Sequence, residues 1–192
     1  KLVRFHYSVD SILEMNSYIR YPSEWTRTEE VFHILDTQTS NNVEVTVACA
    51  VQALNIYYLP DFIKWKLNKK FHKINMWPFG AGGVNYHFVY HPPHLNVKIL
   101  PEWFKKQCRK KYEEFYPWWE QNWELGVPVW HKGKVDYEKW RSAGYGIKRL
   151  QGMLDFMDSE DWSRRLPEMK EFLILCDKQR GITFEKTFPE MK

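Results

Sequence analysis

Cysteine is scarce in this chain of 192 residues: there are three, Cys49, Cys108 and Cys176. Few, odd in number and far apart, they suit neither a disulfide framework nor a zinc site, and they point to a reducing, cytoplasmic setting. Long apolar runs are missing as well. No stretch approaches the roughly 20 residues that span a bilayer, and no signal-peptide pattern is visible, so no membrane partner is expected. Charge of one sign is not in large excess. Twenty-eight Lys and Arg face 24 Asp and Glu, a formal net charge of +4 spread along the chain, which makes nucleic acid an unexpected partner. The densest basic run, Lys105, Lys106, Arg109, Lys110 and Lys111, is followed at once by Glu113 and Glu114. It reads as a solvated helix face. The glycine-rich stretch Phe79-Gly-Ala-Gly-Gly83 lacks the spacing and the trailing lysine of a phosphate loop. There is no internal repeat and no low-complexity tract.

What the chain has is aromatic side chains, 17% of all residues with ten tryptophans, enough to bury a large apolar area. Val3, Phe5, Tyr7 and Val9 alternate with Arg4, His6 and Ser8, which predicts a strand over residues 2–9. Thr26 with Glu29 forms a capping box for a helix whose face is Trp25, Thr28, Phe32 and Leu35, ending near Thr37. The β-branched run from Val43 to Ala50 predicts a second strand. Leu59, Phe62, Ile63 and Leu67, with Pro60 early, predict a second helix. A third short strand is expected over residues 73–77. Strand and helix alternate as in a parallel sheet with crossover helices. Residues 78–100 read as an ordered insertion with short extended pieces. From Pro101 onward the chain turns helical: a stripe from Phe104 to Trp119, kinked or restarted by Pro117, a loop around residues 126–133, a helix from Trp140 to Met157, and a last helix from Trp162 to Cys176 with Pro167 near its start. An irregular tail follows Gly181.

Several residues can carry chemistry. Ser8 and Asp10 end the first strand, and ligands of parallel sheets bind beyond the carboxyl ends of the strands. With Arg20 they offer a hydroxyl, a carboxylate and a guanidinium, although Ser and Asp also favour ordinary turns. Gln52 and Asn55 after the second strand either read a ligand or close the turn before the helix. His87, His91 and His94 lie close together but have no acidic or cysteine partner nearby, so no metal is assigned to them. Phe115, Trp118, Trp119, Trp123 and Trp130 serve as core or as a stacking surface.

Taken together, His6-Tyr-Ser-Val-Asp10, Tyr18-Ile-Arg-Tyr-Pro22 and Trp25 resemble the "S-[IV]-D-[GS]…Y-x-R" segment of the radical S-adenosylmethionine (SAM) enzymes. The similarity is greatest to the branch with SPASM or twitch auxiliary domains, including twitch-type proteins common in marine phage sequences. The run Val43-Glu-Val-Thr-Val47 with Asn55 and Leu59, the pair Pro93-x-Leu95 and Leu100-Pro101, and Asp177-Lys-Gln-Arg-Gly181 with Phe188-Pro-Glu190 are similar to later parts of that branch. The resemblance implies an α/β fold: residues 1–100 as the second half of a partial (β/α)6 barrel, and residues 101–192 as a helical C-terminal extension. It implies that Ser8 and Asp10 contact the SAM ribose or its amino-acid end, and that Arg20 reaches the SAM carboxylate. Asn55 and Thr46 would face the same ligand. In the family a reduced [4Fe–4S] cluster cleaves SAM to a 5′-deoxyadenosyl radical, which abstracts hydrogen from a substrate.

The family's Cys-x-x-x-Cys-x-x-Cys motif is absent from this sequence, and one loop must present all three thiolates to one cluster. The opening residue is Lys1, directly inside a strand. The expectation is therefore a C-terminal part whose cluster ligands lie elsewhere, inactive by itself, with an open edge at its first strand that favours self-association. An electron donor for the cluster and a peptide, sugar or small-molecule substrate come with the resemblance. The alternatives are a binding module using the aromatic, basic surface around residues 103–130 for a glycan or nucleic acid, and a degenerate barrel kept as a structural partner.

Overall fold

The computed structural model describes residues 1–122, apart from 2, 38, 39, 41, 72, 73 and 75–80, and residues 145–192. Strands β1 (Val3–Ser8), β2 (Val43–Val51) and β3 (Val84–Phe88) form one parallel sheet in the order β1-β2-β3. Val3 pairs with Val43 and Ser8 with Ala48; Val47 pairs with Val84 and Val51 with Phe88. Parallel neighbours need crossover connections. Helices α1 (Leu13–Ile19) and α2 (Trp25–Asp36) supply the first, and α3 (Leu59–Asn68) lies in the second.

The period of 2 gives the sheet two unlike faces. Val45, Val47, Cys49 and Val51 point into the core, where Tyr7 meets Phe32 of α2 edge to face at 5.2 Å, and Phe32 meets Trp65 of α3 at 5.3 Å. The other face carries Arg4, His6 and Ser8 from β1, Glu44, Thr46, Ala48 and Ala50 from β2, and Asn85 and His87 from β3. Thr46 alone among these nine is buried. A parallel sheet usually has both faces covered and apolar; this one keeps a polar, accessible face.

Among the described residues three longer helices follow, α4 (Glu102–Asn122), α5 (Tyr145–Asp158) and α6 (Leu166–Arg180), and then the single turn α7 (Phe184–Thr187). Phe104, Cys108, Tyr112 and Phe115 of α4 are buried in the same core as the strands, and the Tyr112 hydroxyl donates to Ile56 O at 2.7 Å. Residue 100 marks the change from sheet to helix, but the parts on either side share one core. Gly181 ends α6 with φ 65°, the left-handed position that suits glycine.

Several local expectations change. The capping box does not form: α2 starts at Trp25, and Thr28 donates instead to Glu24 O at 3.1 Å and pairs with Ser23 at 3.1 Å. Helix α4 runs on through Pro117, so the expected restart does not occur. Pro117 and Glu113, whose carbonyl loses its amide partner, are exposed, so water can take that carbonyl. The strand expected at 73–77 lies outside the described residues except for Ile74, a buried turn residue whose amide donates to Asp36 Oδ1 at 3.1 Å. The second neighbour of β2 is Val84–Phe88, from the stretch read as an insertion. Trp123, Trp130, the loop at 126–133 and the start of the helix at Trp140 also lie outside the described residues.

Lys66 on α3 is fully enclosed, its Nζ donating to Gly82 O at 2.8 Å, and burial lowers its pKa to about 7. Below pH 7 the lysine is charged whether the chain is folded or not, and the folded state bears the desolvation cost. Between pH 7 and roughly 10.4 only the unfolded chain holds the proton, so this group's contribution to stability rises with pH. The unfolding free energy of the wild type minus that of Lys66→Met should climb by about 1.4 kcal/mol per pH unit between roughly pH 8 and 10. Denaturant melts of both proteins measure it, and a flat difference would contradict the buried amine.

Candidate functional site

Beyond the carboxyl ends of β1 and β2 the chain makes a dense polar network, and Asp10 is its hub. Oδ1 of Asp10 accepts from the Ala50 amide at 2.7 Å, and Oδ2 accepts from Arg20 Nη1 at 2.8 Å. The Asp10 amide donates to Asn16 Oδ1 at 3.0 Å, which also takes the Ser11 amide at 3.4 Å. The Asp10 carbonyl accepts from Asn55 Nδ2 at 2.8 Å. Asn55 spends its other capacity on Ala50 O at 2.9 Å and on the Gln52 amide at 2.8 Å. Val9 N bonds Ala48 O at 2.9 Å, so backbone pairing leads straight into the network.

Local sequence explains the arrangement. Asp10-Ser11-Ile12 leaves the strand and turns sharply into α1, with Leu13 at φ 51°. That conformation costs an L-residue about 1–2 kcal/mol and persists only where neighbours enforce it. Asn16 enforces it by reaching back with one side-chain oxygen to two amides of the turn. The end of α1 then delivers Arg20 to Asp10. Asn55 plays the matching part after β2, closing the turn of residues 52–55 while its amide group bridges to β1. Cys49, fully buried on β2, donates weakly to Asp10 O at 3.8 Å.

Electrostatically the site is a shielded carboxylate beside a reachable cation. The Asp10 side chain is 4% exposed and that of Arg20 36%. Arg20 carries five donors, and Asp10 engages one of them. Burial, with the Asp10 charge second, pushes the Cys49 thiol well above its ordinary value. Burial raises the Cys108 thiol to about 12 and also raises that of Cys176. Thiols held protonated and buried on β2, α4 and α6 are neither poised nucleophiles nor a set of cluster ligands.

Of the five residues marked from sequence, three are brought together: Asp10, Arg20 and Asn55. Asp10 and Asn55 are bonded to the chain itself. Ser8 is exposed on the polar face, opposite Ala48. Thr46 is four residues before Ala50, about 13 Å along the strand, with its hydroxyl on His6 Nδ1 at 2.7 Å. Asn16 was missed, although an Asn six residues after a strand-ending Asp is the signal to look for. Ser11 Oγ, Asn16 Nδ2 and Gln52 Oε1 are buried polar atoms beside the network with no partner among the described residues. His87 faces the open side of the sheet, paired with Ala50, while His94 packs against Phe172 with ring centroids 4.9 Å apart and planes tilted by 42°. Among the described residues no three His, Cys, Asp or Glu side chains could hold a metal ion, and no helix is long and apolar enough to cross a membrane.

The aromatic, basic segment after residue 102 has a different character. Its stripe is core, and three of its cations are paired: Arg109 with Glu102 and Asp158, Lys110 with Glu114, Lys111 with Asp61; Lys106 is exposed. Lys105 is buried and donates to Glu160 O at 3.2 Å.

If Asn55 is the clamp between the strand ends, Asn55→Ala strands a buried amide and two carbonyls and should cost roughly 2–4 kcal/mol. Thr46→Val, which removes the part-buried hydroxyl's bonds to His6 Nδ1 and Phe5 O, should cost about 1 kcal/mol. Equilibrium unfolding of the two variants decides it, and equal losses would contradict the clamp. Comparison with protein-family models, curated proteins and solved structures finds no match to this chain.

Proposed function

We propose that this chain is the SAM-holding part of a radical SAM enzyme, the second half of a partial barrel whose iron–sulfur ligands belong to polypeptide outside this sequence. The observation that carries the reading is the Arg20 guanidinium, one-third exposed beyond the carboxyl ends of a parallel sheet and braced from behind by buried Asp10. It stands in the segment whose residues resemble the family. The polar, accessible face of the sheet supports the reading too, because it runs up to the carboxyl ends of the strands, where barrel enzymes bind their ligands.

The residues fit SAM. Arg20 has donors left for a carboxylate, Ser8 has an accessible hydroxyl for a ribose or amino-acid end, and Ser11, Asn16 and Gln52 hold unspent hydrogen-bonding capacity at the same strand ends. Asp10 acts here as the positioning carboxylate that fixes Arg20, and Asn55 holds the two loops together. With a reduced cluster, SAM supplies hydrogen-atom abstraction; the protein's share is to bind and orient it and keep water out. The residues do not fit the [4Fe–4S] cluster itself, because the three cysteines are buried on separate elements. The electron donor and the peptide, sugar or small-molecule substrate belong to the same proposal.

Titrating SAM into the 15N-labelled chain tests it. Amide signals of residues 8–11, 20 and 50–55 should shift with saturation. Arg20→Met should weaken binding by roughly tenfold or more, the loss of one charge-assisted bond. No shift at millimolar SAM, or equal affinity in the variant, would sink the proposal.

A further inference from the structure

The last segment of the chain returns to the site from the far end of the sequence. Asp177 on α6 accepts the Tyr18 hydroxyl at 2.7 Å, and its two carboxylate oxygens take the Phe184 amide at 2.9 and 3.0 Å. Arg180 donates to Tyr18 O, and its guanidinium lies 5.2 Å from the Tyr18 ring and 5.6 Å from that of Tyr21. Phe188, with no exposed surface, is wedged between two tyrosines: its ring stands 5.3 Å from Tyr18, edge to face, and 5.7 Å from Tyr58. Glu190 then accepts the Tyr58 hydroxyl at 2.5 Å. Burial, reinforced by the acidic partner in each case, raises the pKa of both phenols, so both stay donors throughout the neutral range.

The two tyrosines are what give this contact its meaning. Tyr18 is two residues before Arg20, and Tyr58 is three residues after Asn55. One segment, Asp177–Glu190, therefore grips both connections that leave the carboxyl ends of β1 and β2. Packing alone needs only an apolar plug. Here three polar groups, Asp177, Arg180 and Glu190, meet the backbone or hydroxyl of those two tyrosines, which fixes orientation as well as burial.

We infer that Asp177–Glu190 is a clasp that positions the ligand loops, with Arg180 and Phe188 as positioning residues that set Arg20 through Tyr18 and the Asn55 turn through Tyr58. The inference rests on the reading of Arg20 as a SAM contact. It assigns the C-terminal segment a part in affinity that its distance in sequence hides. Loosening the clasp leaves the sheet and α3 intact and lets α1 drift, so that Arg20 keeps its charge but loses its place.

The test uses the full chain with SAM as the probe, well below its melting temperature. In Arg180→Met, amide exchange over residues 16–20 should quicken by about tenfold while exchange in β2 stays unchanged, and SAM affinity should fall by about fivefold. Arg180→Lys, which keeps a cation and a donor for Tyr18 O, should recover most of both. Ile174→Ser on the exposed side of α6 should alter neither. If Arg180→Met does not fold, Tyr58→Phe deletes only the Glu190 bond, and exchange over residues 52–58 with SAM affinity carries the same test. Exchange that matches the wild type, or faster exchange with unaltered SAM affinity, would overturn the clasp while leaving the SAM site standing. A wild-type chain that ignores SAM would remove the site itself, and the positioning claim with it.

Discussion

One carboxylate holds the working end of this molecule together. Strand β1 is a poor strand by its own contacts: it lies at the sheet edge, and Val3 and Phe5 are about half exposed. What fastens its carboxyl end is Asp10, which extends the pairing past Ser8 by taking the Ala50 amide with one oxygen and Arg20 with the other. A buried carboxylate is costly unless it is paired and hydrogen-bonded. Arg20 and the Ala50 amide meet that condition on the carboxylate, while Asn16 and Asn55 hold the backbone beside it. Remove the carboxylate and the end of β1 loses its side-chain tie to Ala50, and Arg20 loses its brace.

Much of this was legible in the sequence. The period-2 runs gave β1 and β2 to within a residue or two, the Leu59–Leu67 stripe gave α3, and Pro167 with Gly181 framed α6. Helix α1 was not legible, because it is not seated by an apolar stripe. Its buried residues are Asn16 and Tyr18, and what holds them is hydrogen bonding to Asp10, Ser11 and Asp177, residues that no local period connects. Strand β3 was hidden between glycines and prolines that normally mark irregular chain. Asp10, Arg20 and Asn55 were picked out, but sequence cannot say which partner takes a side chain's lone pairs. Asp10 and Asn55 prove to be bound to the chain itself, and only geometry shows that they build the place where Arg20 stands.

The two faces of the sheet connect this local network to function. Valines and Cys49 on one side meet α2 and α3 through an aromatic cluster of Tyr7, Trp25, Phe32, Trp65 and Phe71. Alanines, His6, Ser8, Asn85 and His87 on the other side leave a polar surface that leads to the strand ends. A protein that needed only a stable sheet would have covered that surface with apolar side chains. Keeping it polar, with a braced cation at its end, is consistent with a ligand that carries both charged and hydrogen-bonding groups, as SAM does. The C-terminal segment, gripping Tyr18 and Tyr58, shows that even distant parts of the chain converge on the same loops.

The central claim is that the strand ends around Arg20 form a ligand site, and a crystal structure of the chain grown with S-adenosylhomocysteine, the stable analogue of SAM, tests it most directly. The account predicts the analogue beyond the carboxyl ends of β1 and β2, its carboxylate on Arg20, with the Asp10–Ala50 and Asn55 bonds unchanged. Analogue bound anywhere else, or Arg20 turned away from it, would contradict the account.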